Sequence, residues 1–436
     1  MLKNTLKIFG LGSALSLAAG PALAEVSPET AYVFNTFLFL VCGFLVMFMA
    51  AGFAMLESGM VRSKNVATIC LKNISLFSIA GLMYWLVGYN LMYGIEEGGY
   101  IGELFSVWSA DDSAIGGEAP DFSGGYAAGS DWYFQMVFCA TTASIVSGTI
   151  AERMKLWPFL IFTLFLTGFI YPIVGSWEWG TGWLDAMGFS DFAGSTLVHS
   201  TGGWAALAGA IILGARAGKY GPNGEVTPIP GSSMPLATLG TFVLWLGWFG
   251  FNGGSQLALG SGADAAAISN IFINTNMAAA AGVVAAMVAS NALYGKIDLT
   301  MALNGAIGGL VSITAEPLTP SIPAAAFIGA VGGVLVVLAV PLLDKMKIDD
   351  VVGAIPAHLV CGIWGTMIVP LTNGDASYGV QAIGVISVGI FTMIASGILW
   401  SILKATMGIR IEDDGELLGL DKSELGIEAY PEFSRT

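Results

Sequence analysis

The sequence predicts an all-α membrane protein with eleven transmembrane helices, N-terminus out and C-terminus in. Three observations carry that reading. Mean hydropathy is +0.75, and charged residues make up 11% of the 436 positions; a soluble domain needs about 25% to cover its surface. Past residue 24 the chain holds eleven apolar runs, each of roughly the 20 residues that cross a bilayer. Its positive charges then collect on one side of those runs.

The elements follow in order. Residues 1–24 read as a secretory signal peptide. Lys3 and Lys7 give the positive start, an apolar stretch follows, and Ala22-Leu23-Ala24 supplies small residues for cleavage before Glu25. Spans are then expected at 31–56, 66–92, 132–150, 157–175, 194–214, 236–254, 266–292, 298–315, 322–342, 353–371 and 379–403. The connection 93–131 is rich in Gly, Asp, Glu and Ser and reads as a surface loop. The connection 215–235 carries Gly and Pro turns and joins two halves of five spans each. A polar tail, 406–436, follows the eleventh span and leaves 25–405 as the membrane domain. The 59 glycines include Gly305/Gly308/Gly309 and Gly329/Gly332/Gly333, small residues that let helices approach closely.

Charge sets the orientation. The inner loops hold Arg62, Lys64, Arg153, Lys155, Arg216, Lys219, Lys296, Lys345 and Lys347. Lys72 lies near the inner end of the second span, and Lys404, Arg410, Lys422 and Arg435 lie at the C-terminal end. The outer loops are acidic, with Glu96, Glu97, Glu103, Asp111, Asp112, Glu118, Asp131, Glu178 and Asp185 among their residues. An acidic mouth concentrates cations and argues against an anionic substrate and against nucleic acid. Cys42, Cys70, Cys139 and Cys361 all fall within spans, so no disulfide framework is implied. No spacing for zinc or haem occurs, and no metal or cofactor is expected.

Two histidines are present, and they share a frame. Asp191-Phe-Ala-Gly194-Ser-Thr-Leu-Val-His199 and Asp350-Val-Val-Gly353-Ala-Ile-Pro-Ala-His358 both read D-x-x-G-x-x-x-x-H, with Gly203 and Gly362 four residues past each His. An ionisable group inside a span is costly and marks a functional site by default. A repeated frame points to duplication, and five spans per half make the second half run inverted, with the site at the interface between halves. Each His lies about five residues into its span, on the order of 8 Å deep, and the two spans enter from opposite sides. Spacing alone therefore does not bring the rings together. Asp191 reads as a helix N-cap that also places a carboxylate near the outer mouth. Phe134 and Phe138 are one turn apart. Trp177, Trp179 and Trp183 precede Asp191, and Phe251 and Ser255 close the sixth span. Such rings anchor at the interface or attract a cation. Two adjacent imidazoles in a dry pore stay neutral, hydrogen-bond a small polar solute and relay a proton.

These residues resemble those of the ammonium transporter/methylammonium permease/Rhesus family, in its bacterial branch. The likeness spans nearly the whole chain after residue 24. Its most specific element is Asp191–His199, joined by Ala151-Glu152-Arg153, Trp248-Phe-Gly-Phe-Asn252, His358-Leu-Val-Cys-Gly362, Gly419-Leu420-Asp421 and Glu428-Ala429-Tyr430. The resemblance implies a transporter, not an enzyme. Phe138, Trp179 and Ser255 would recruit NH4+ with Phe134 beside them, and Asp191 would support that site. Phe138 and Phe251 would gate the pore, and His199 and His358 would line it. It further implies methylammonium as an analogue, a homotrimer in the cell inner membrane, a regulatory tail and a PII-type protein at the cytoplasmic face. Two departures stand out. Gly353, Ile355 and Pro356 occupy positions where the family commonly has Asp, Phe and Gly, and Leu425 stands where many members carry His. The rival readings are an ammonium sensor signalling through the tail, a coupled cation or amino-acid symporter, and a membrane hydrolase. Whether a proton accompanies ammonia is left open.

Overall fold

The structure, a computed structural model, describes residues 26–110 and 120–433. The leader assigned to 1–24 lies outside them, as do Asp111, Asp112, Glu118 and Arg435. Among the described residues the chain is helical, with no strand beyond two isolated bridges, Met154–Arg410 and Tyr220–Val226.

The helices of the bundle, in chain order, are α1 (Pro28–Met60), α2 (Ser63–Tyr93), α3 (Ala128–Thr149), α4 (Leu156–Ser176), α5 (Ser195–Leu213), α6 (Met234–Gly254), α7 (Gly262–Tyr294), α8 (Leu299–Thr314), α9 (Ile322–Lys345), α10 (Ile355–Leu371) and α11 (Tyr378–Thr406). Eight of them are long and apolar enough to cross a membrane: α1, α2, α4, α5, α6, α7, α9 and α11. Their starts obey capping chemistry. Ser27, Ser233, Ser261, Ser321 and Ser377 each accept a backbone N–H of the first turn of α1, α6, α7, α9 and α11. Proline sits in the first turn of α1, α6 and α9, where its missing N–H costs nothing.

Glycine sets how tightly the bundle closes. A Cβ on Gly329 would stand 2.1 Å from the Ala278 carbonyl oxygen, and one on Gly309 would stand 2.4 Å from that same oxygen. One on Gly333 would stand 2.1 Å from the Gly282 carbonyl oxygen. Helices α7, α8 and α9 therefore touch backbone to backbone. The opposite pattern marks the outside. Ile383, Ile386, Ile390, Ile394, Ile398 and Ile402 recur every three or four residues along α11, and all are exposed. An apolar stripe turned outward is what lipid solvates.

One end of the bundle carries the tail. Its short helix α12 (Asp413–Leu418) is followed by a turn whose carboxylates cap other helices. Asp421 accepts the N–H groups of Ala67 and Thr68 at 2.9 and 2.8 Å, at the start of α2. Glu424 accepts the N–H of Leu156 at 3.0 Å, at the start of α4. Glu416 accepts the N–H of Ala217 at 2.7 Å and pairs with Arg410. Beneath the tail, Arg216 pairs with Asp349 at 2.8 Å and Glu152 at 3.1 Å, and Glu152 also pairs with Arg62. Several basic residues that oriented the chain are thus fasteners of this face, Arg216 buried and Arg62 and Arg410 half-buried. Arg153, fully buried, donates to the carbonyls of Thr149, Ala151, Gly214 and Asp349.

Candidate functional site

The repeated histidine frame folds into a repeated backbone. Gly194 (φ 103°) and Gly353 (φ 78°) both take the left-handed conformation that a side chain at either position would resist. Each is followed by a π-helical turn, Ser195–Ser200 and Ile355–Val360, which holds the His. The two aspartates cap these turns. Asp191 accepts four backbone N–H groups, from Gly194, Ser195, Thr196 and Leu197, at 2.7–3.1 Å. Asp350 accepts those of Gly353 and Ile355 at 3.1 and 2.7 Å. Pro356 falls in the first turn of α10, where no intrahelical N–H is lost, so the departure leaves the turn intact.

The two frames then clasp each other. A Cβ on Gly203 would lie 2.9 Å from the Leu359 backbone, and one on Gly362 would lie 2.4 Å from the Ser200 hydroxyl. Each glycine four residues past one His thus abuts the residue that follows the other His. That crossing brings the rings together, which span depth alone did not do. His199 Nδ1 lies 3.3 Å from His358 Nδ1, and both residues are buried.

Aromatic rings continue the line. His199 stacks on Trp248 at 4.8 Å between centroids and stands 5.2 Å from Phe251. Phe251 stacks on Phe138 at 3.8 Å and 18°. Phe134 lies 4.8 Å from Phe138, and Trp179 meets Phe138 edge-on at 6.1 Å. Above the Phe138/Phe251 pair opens a cavity of ≈ 470 Å³ on the face opposite the tail, lined in part by Phe134, Phe138, Trp179 and Ser255. The Ser255 hydroxyl donates to the Phe251 carbonyl at 2.9 Å, which leaves its oxygen lone pairs for a further donor.

Not every expected residue reaches this cavity. Asp191 does not line it; its carboxylate is spent on the four N–H groups, and its own carbonyl accepts the Trp179 indole N–H at 3.1 Å. It positions Trp179. Trp177 and Trp183 pack on each other and on Tyr100. Conversely, Tyr89, Tyr93, Tyr126, Gln135 and Glu178 line the cavity without having been singled out as site residues. Glu178 Oε1 accepts the Asp191 N–H at 2.7 Å, and its Oε2 has no hydrogen-bond partner among the described residues. Burial first, and then the neighbouring Asp191 charge, push Glu178 well above the usual carboxylate range. Burial likewise raises Asp191 to about 6 against the pull of its four N–H donors. The available signal for Glu178 was its place between Trp177 and Trp179, in a loop whose acidic residues were read together as an outer mouth.

On the tail side of His358 a small void of ≈ 10 Å³ is lined by Phe53, Glu57, Asn304 and His358, among others. Cavity, ring pair, histidine pair and void follow one another in that order. No group of three or more His, Cys, Asp or Glu suited to a metal occurs among the described residues.

Comparison with known proteins agrees with this architecture. Residues 37–430 match the Ammonium Transporter Family. The chain is 40% identical to ammonium transporter Amt2 of Archaeoglobus fulgidus, over 90% of this chain and 87% of that one. It is also 40% identical to a putative ammonium transporter of Synechocystis sp., over 95% of each. Among solved structures it superposes on a "Sensor Amt Protein" with TM-score 0.84 and 36% identity, covering 92% of this chain and 100% of that chain. It superposes on Saccharomyces cerevisiae Mep2 with TM-score 0.77 and 26% identity, covering 91% and 92%.

Proposed function

The chain belongs to the ammonium transporter family, and on that premise we propose that it conducts ammonium or ammonia through a twin-histidine pore. One observation carries the reading: the file from the outer cavity through stacked Phe138 and Phe251 to the hydrogen-bonded His199 and His358. NH4+ is recruited by the Trp179 and Phe138 rings through cation–π attraction and by the Ser255 oxygen, while Asp191 fixes Trp179. The apolar gate makes a full charge costly, so the cation passes a proton to water at the gate and ammonia reaches the histidines, the proton either returning to the outer face or following across the histidine pair. Potassium has no proton to give up and no N–H to donate, and is rejected.

The same reading gives the chain its setting. Eight clear spans together with α3, α8 and α10 make eleven, arranged as two inverted halves of five plus α11. The N-terminus is outside, the tail is in the cytoplasm, and the protein sits in the cell inner membrane as a homotrimer. Residues 1–24 are the leader, 25–405 the membrane domain and 406–436 the regulatory tail, open to a PII-type protein.

The test is a current measurement on a solid-supported membrane, comparing proteoliposomes of wild type and His199→Ala on an ammonium jump. A wild-type current that vanishes in the variant supports histidine-assisted charge transport. A current surviving in the variant removes the proton relay. Folded wild type with no flux of ammonium or methylammonium overturns conduction altogether.

A sensor reading has one observation in its favour. The tail does not hang free: Asp421 and Glu424 cap α2 and α4, so a change in those helices is transmitted to it. The likeness to a protein named a sensor supports the same reading.

A further inference from the structure

Near the end of α1, Glu57 leaves one carboxylate oxygen without a hydrogen-bond partner among the described residues. The residue is 1% exposed and lies among apolar helices. Its Oε2 accepts the Ser147 hydroxyl at 2.8 Å and the Asn73 amide at 3.2 Å. Its Oε1 has no partner among the described residues. Lys72, equally buried, donates to the Ser147 carbonyl at 2.9 Å and stands 4.5 Å from the centroid of the Phe159 ring. Ser147 therefore stands between the two charges, its hydroxyl turned to the carboxylate and its carbonyl to the ammonium. Lys72 supplies a counter-charge yet leaves Oε1 free.

The side chain that carries this oxygen borders a void. Glu57 and His358 line the same void of ≈ 10 Å³, about the room one water-sized solute needs. The other polar side chains lining it are already engaged. The Ser144 hydroxyl donates to the Ala140 carbonyl, and the Asn304 amide donates to the Val352 carbonyl. No neighbouring protein donor competes for Oε1. A buried acceptor is rarely left unmatched unless something else matches it, and a charged side chain within a span marks function by default.

We propose that Glu57 Oε1 is a second substrate subsite, on the tail side of the histidines. It accepts an N–H of ammonium or ammonia as the solute leaves His358. The subsite rests on the pore reading above, and it extends the file one station beyond the histidine pair. Chemically it selects a small solute that carries N–H donors. A solute without a donor gains nothing from Oε1.

Glu57→Gln tests it with almost no change of shape. Its amide oxygen stays on Ser147 and Asn73, so the amide nitrogen takes the place of Oε1 and presents a donor where an acceptor stood. Ammonium flux per folded protein is expected to fall about tenfold or more, the weight of one hydrogen bond to a charged group. Infrared difference spectra of wild type should show a carboxylate band that shifts on ammonium perfusion and is absent in Glu57→Gln. Should that variant fold poorly for want of a partner to Lys72, E57Q/K72M removes both charges, and its flux should stay low because the acceptor is still missing. Wild-type flux in either folded variant, or an ammonium-induced carboxylate band unchanged in Glu57→Gln, overturns the subsite. His199→Ala in the same assay separates the two readings. If His199→Ala abolishes flux and Glu57→Gln does not alter it, only the subsite falls. If His199→Ala transports as wild type, only the proton relay falls; if folded wild type carries no ammonium or methylammonium, the pore reading fails and takes the subsite with it.

Discussion

His199 Nδ1 lies 3.3 Å from His358 Nδ1, although 159 positions of chain separate the residues. Nitrogens at that distance share one hydrogen, so one ring donates and the other accepts. They act as a unit, and groups that act as a unit do not lose function additively. His199→Ala and His358→Ala should each suppress ammonium-driven current strongly, and the double variant should lose little more than the stronger single. Initial currents from proteoliposomes of equal protein content measure this. Losses that multiply would separate the two rings functionally.

Asp191 and Asp350 occupy matching places but carry different weight. Asp191 accepts four backbone N–H groups and Asp350 accepts two. Asp191→Ala should cost roughly 3–5 kcal/mol of stability, and Asp350→Ala about half as much. Thermal unfolding of the purified protein in detergent gives both values. Equal losses would show that the capping bonds do not set the difference.

Much of this was legible because membrane helices announce themselves. The expected span 236–254 and the observed Met234–Gly254 differ at one end by two residues, since twenty apolar residues leave little choice of boundary. The histidine frame was visible too, because a charge-capable residue in a span is rare. What the frame did not reveal was contact. That depends on Gly203 and Gly362, whose missing side chains let the two turns cross, and a glycine among 59 carries no label for its partner. Asp191 was recognisable as a cap, but its distance from the cavity lining was not. Glu57 went unread, and Glu178 was read only as one acid of the outer mouth, for a related reason: a lone carboxylate near a span end looks like surface until packing closes over it.

Trp179 should govern recognition more than rate. Its ring meets Phe138 edge-on and its indole N–H is held by the Asp191 carbonyl, so its face has a fixed position at the cavity. Trp179→Leu should raise half-saturation for ammonium about 2–30-fold, the range of one cation–π contact, with a smaller effect on maximal flux. Ser255→Ala should act in the same direction. Uptake of labelled methylammonium across a concentration series resolves the two parameters. A fall in maximal flux at unchanged half-saturation would place Trp179 outside recruitment.

The tail should detach without dismantling the bundle. Asp421 holds the first N–H groups of α2 from a segment far along the chain. Asp421→Ala removes those acceptors, while waters at the helix start replace them in part. Trypsin should then cut after Lys422 several-fold faster, while the thermal midpoint of the membrane bundle moves little. Unchanged cleavage would mean that other tail contacts suffice to hold it.

Acid should loosen the tail face through Asp349. Burial alone would raise its pKa, but the Arg216 hydrogen bonds and the Arg153 and Arg216 charges hold it at about 2, below the ordinary 3.8. The folded value is the lower one, so this carboxylate adds stability above the unfolded pKa and loses it as pH falls from about 4 to about 2. A displacement of that size corresponds to about 2 kcal/mol. Asp349→Asn removes the titrating group while keeping its shape. The stability gap between wild type and Asp349→Asn should be full near neutrality and shrink across that acid window, read from thermal midpoints at stepped pH. A gap that stays constant to pH 2 would mean that Arg216 does not hold Asp349 ionised, and that Glu152 alone neutralises the guanidinium.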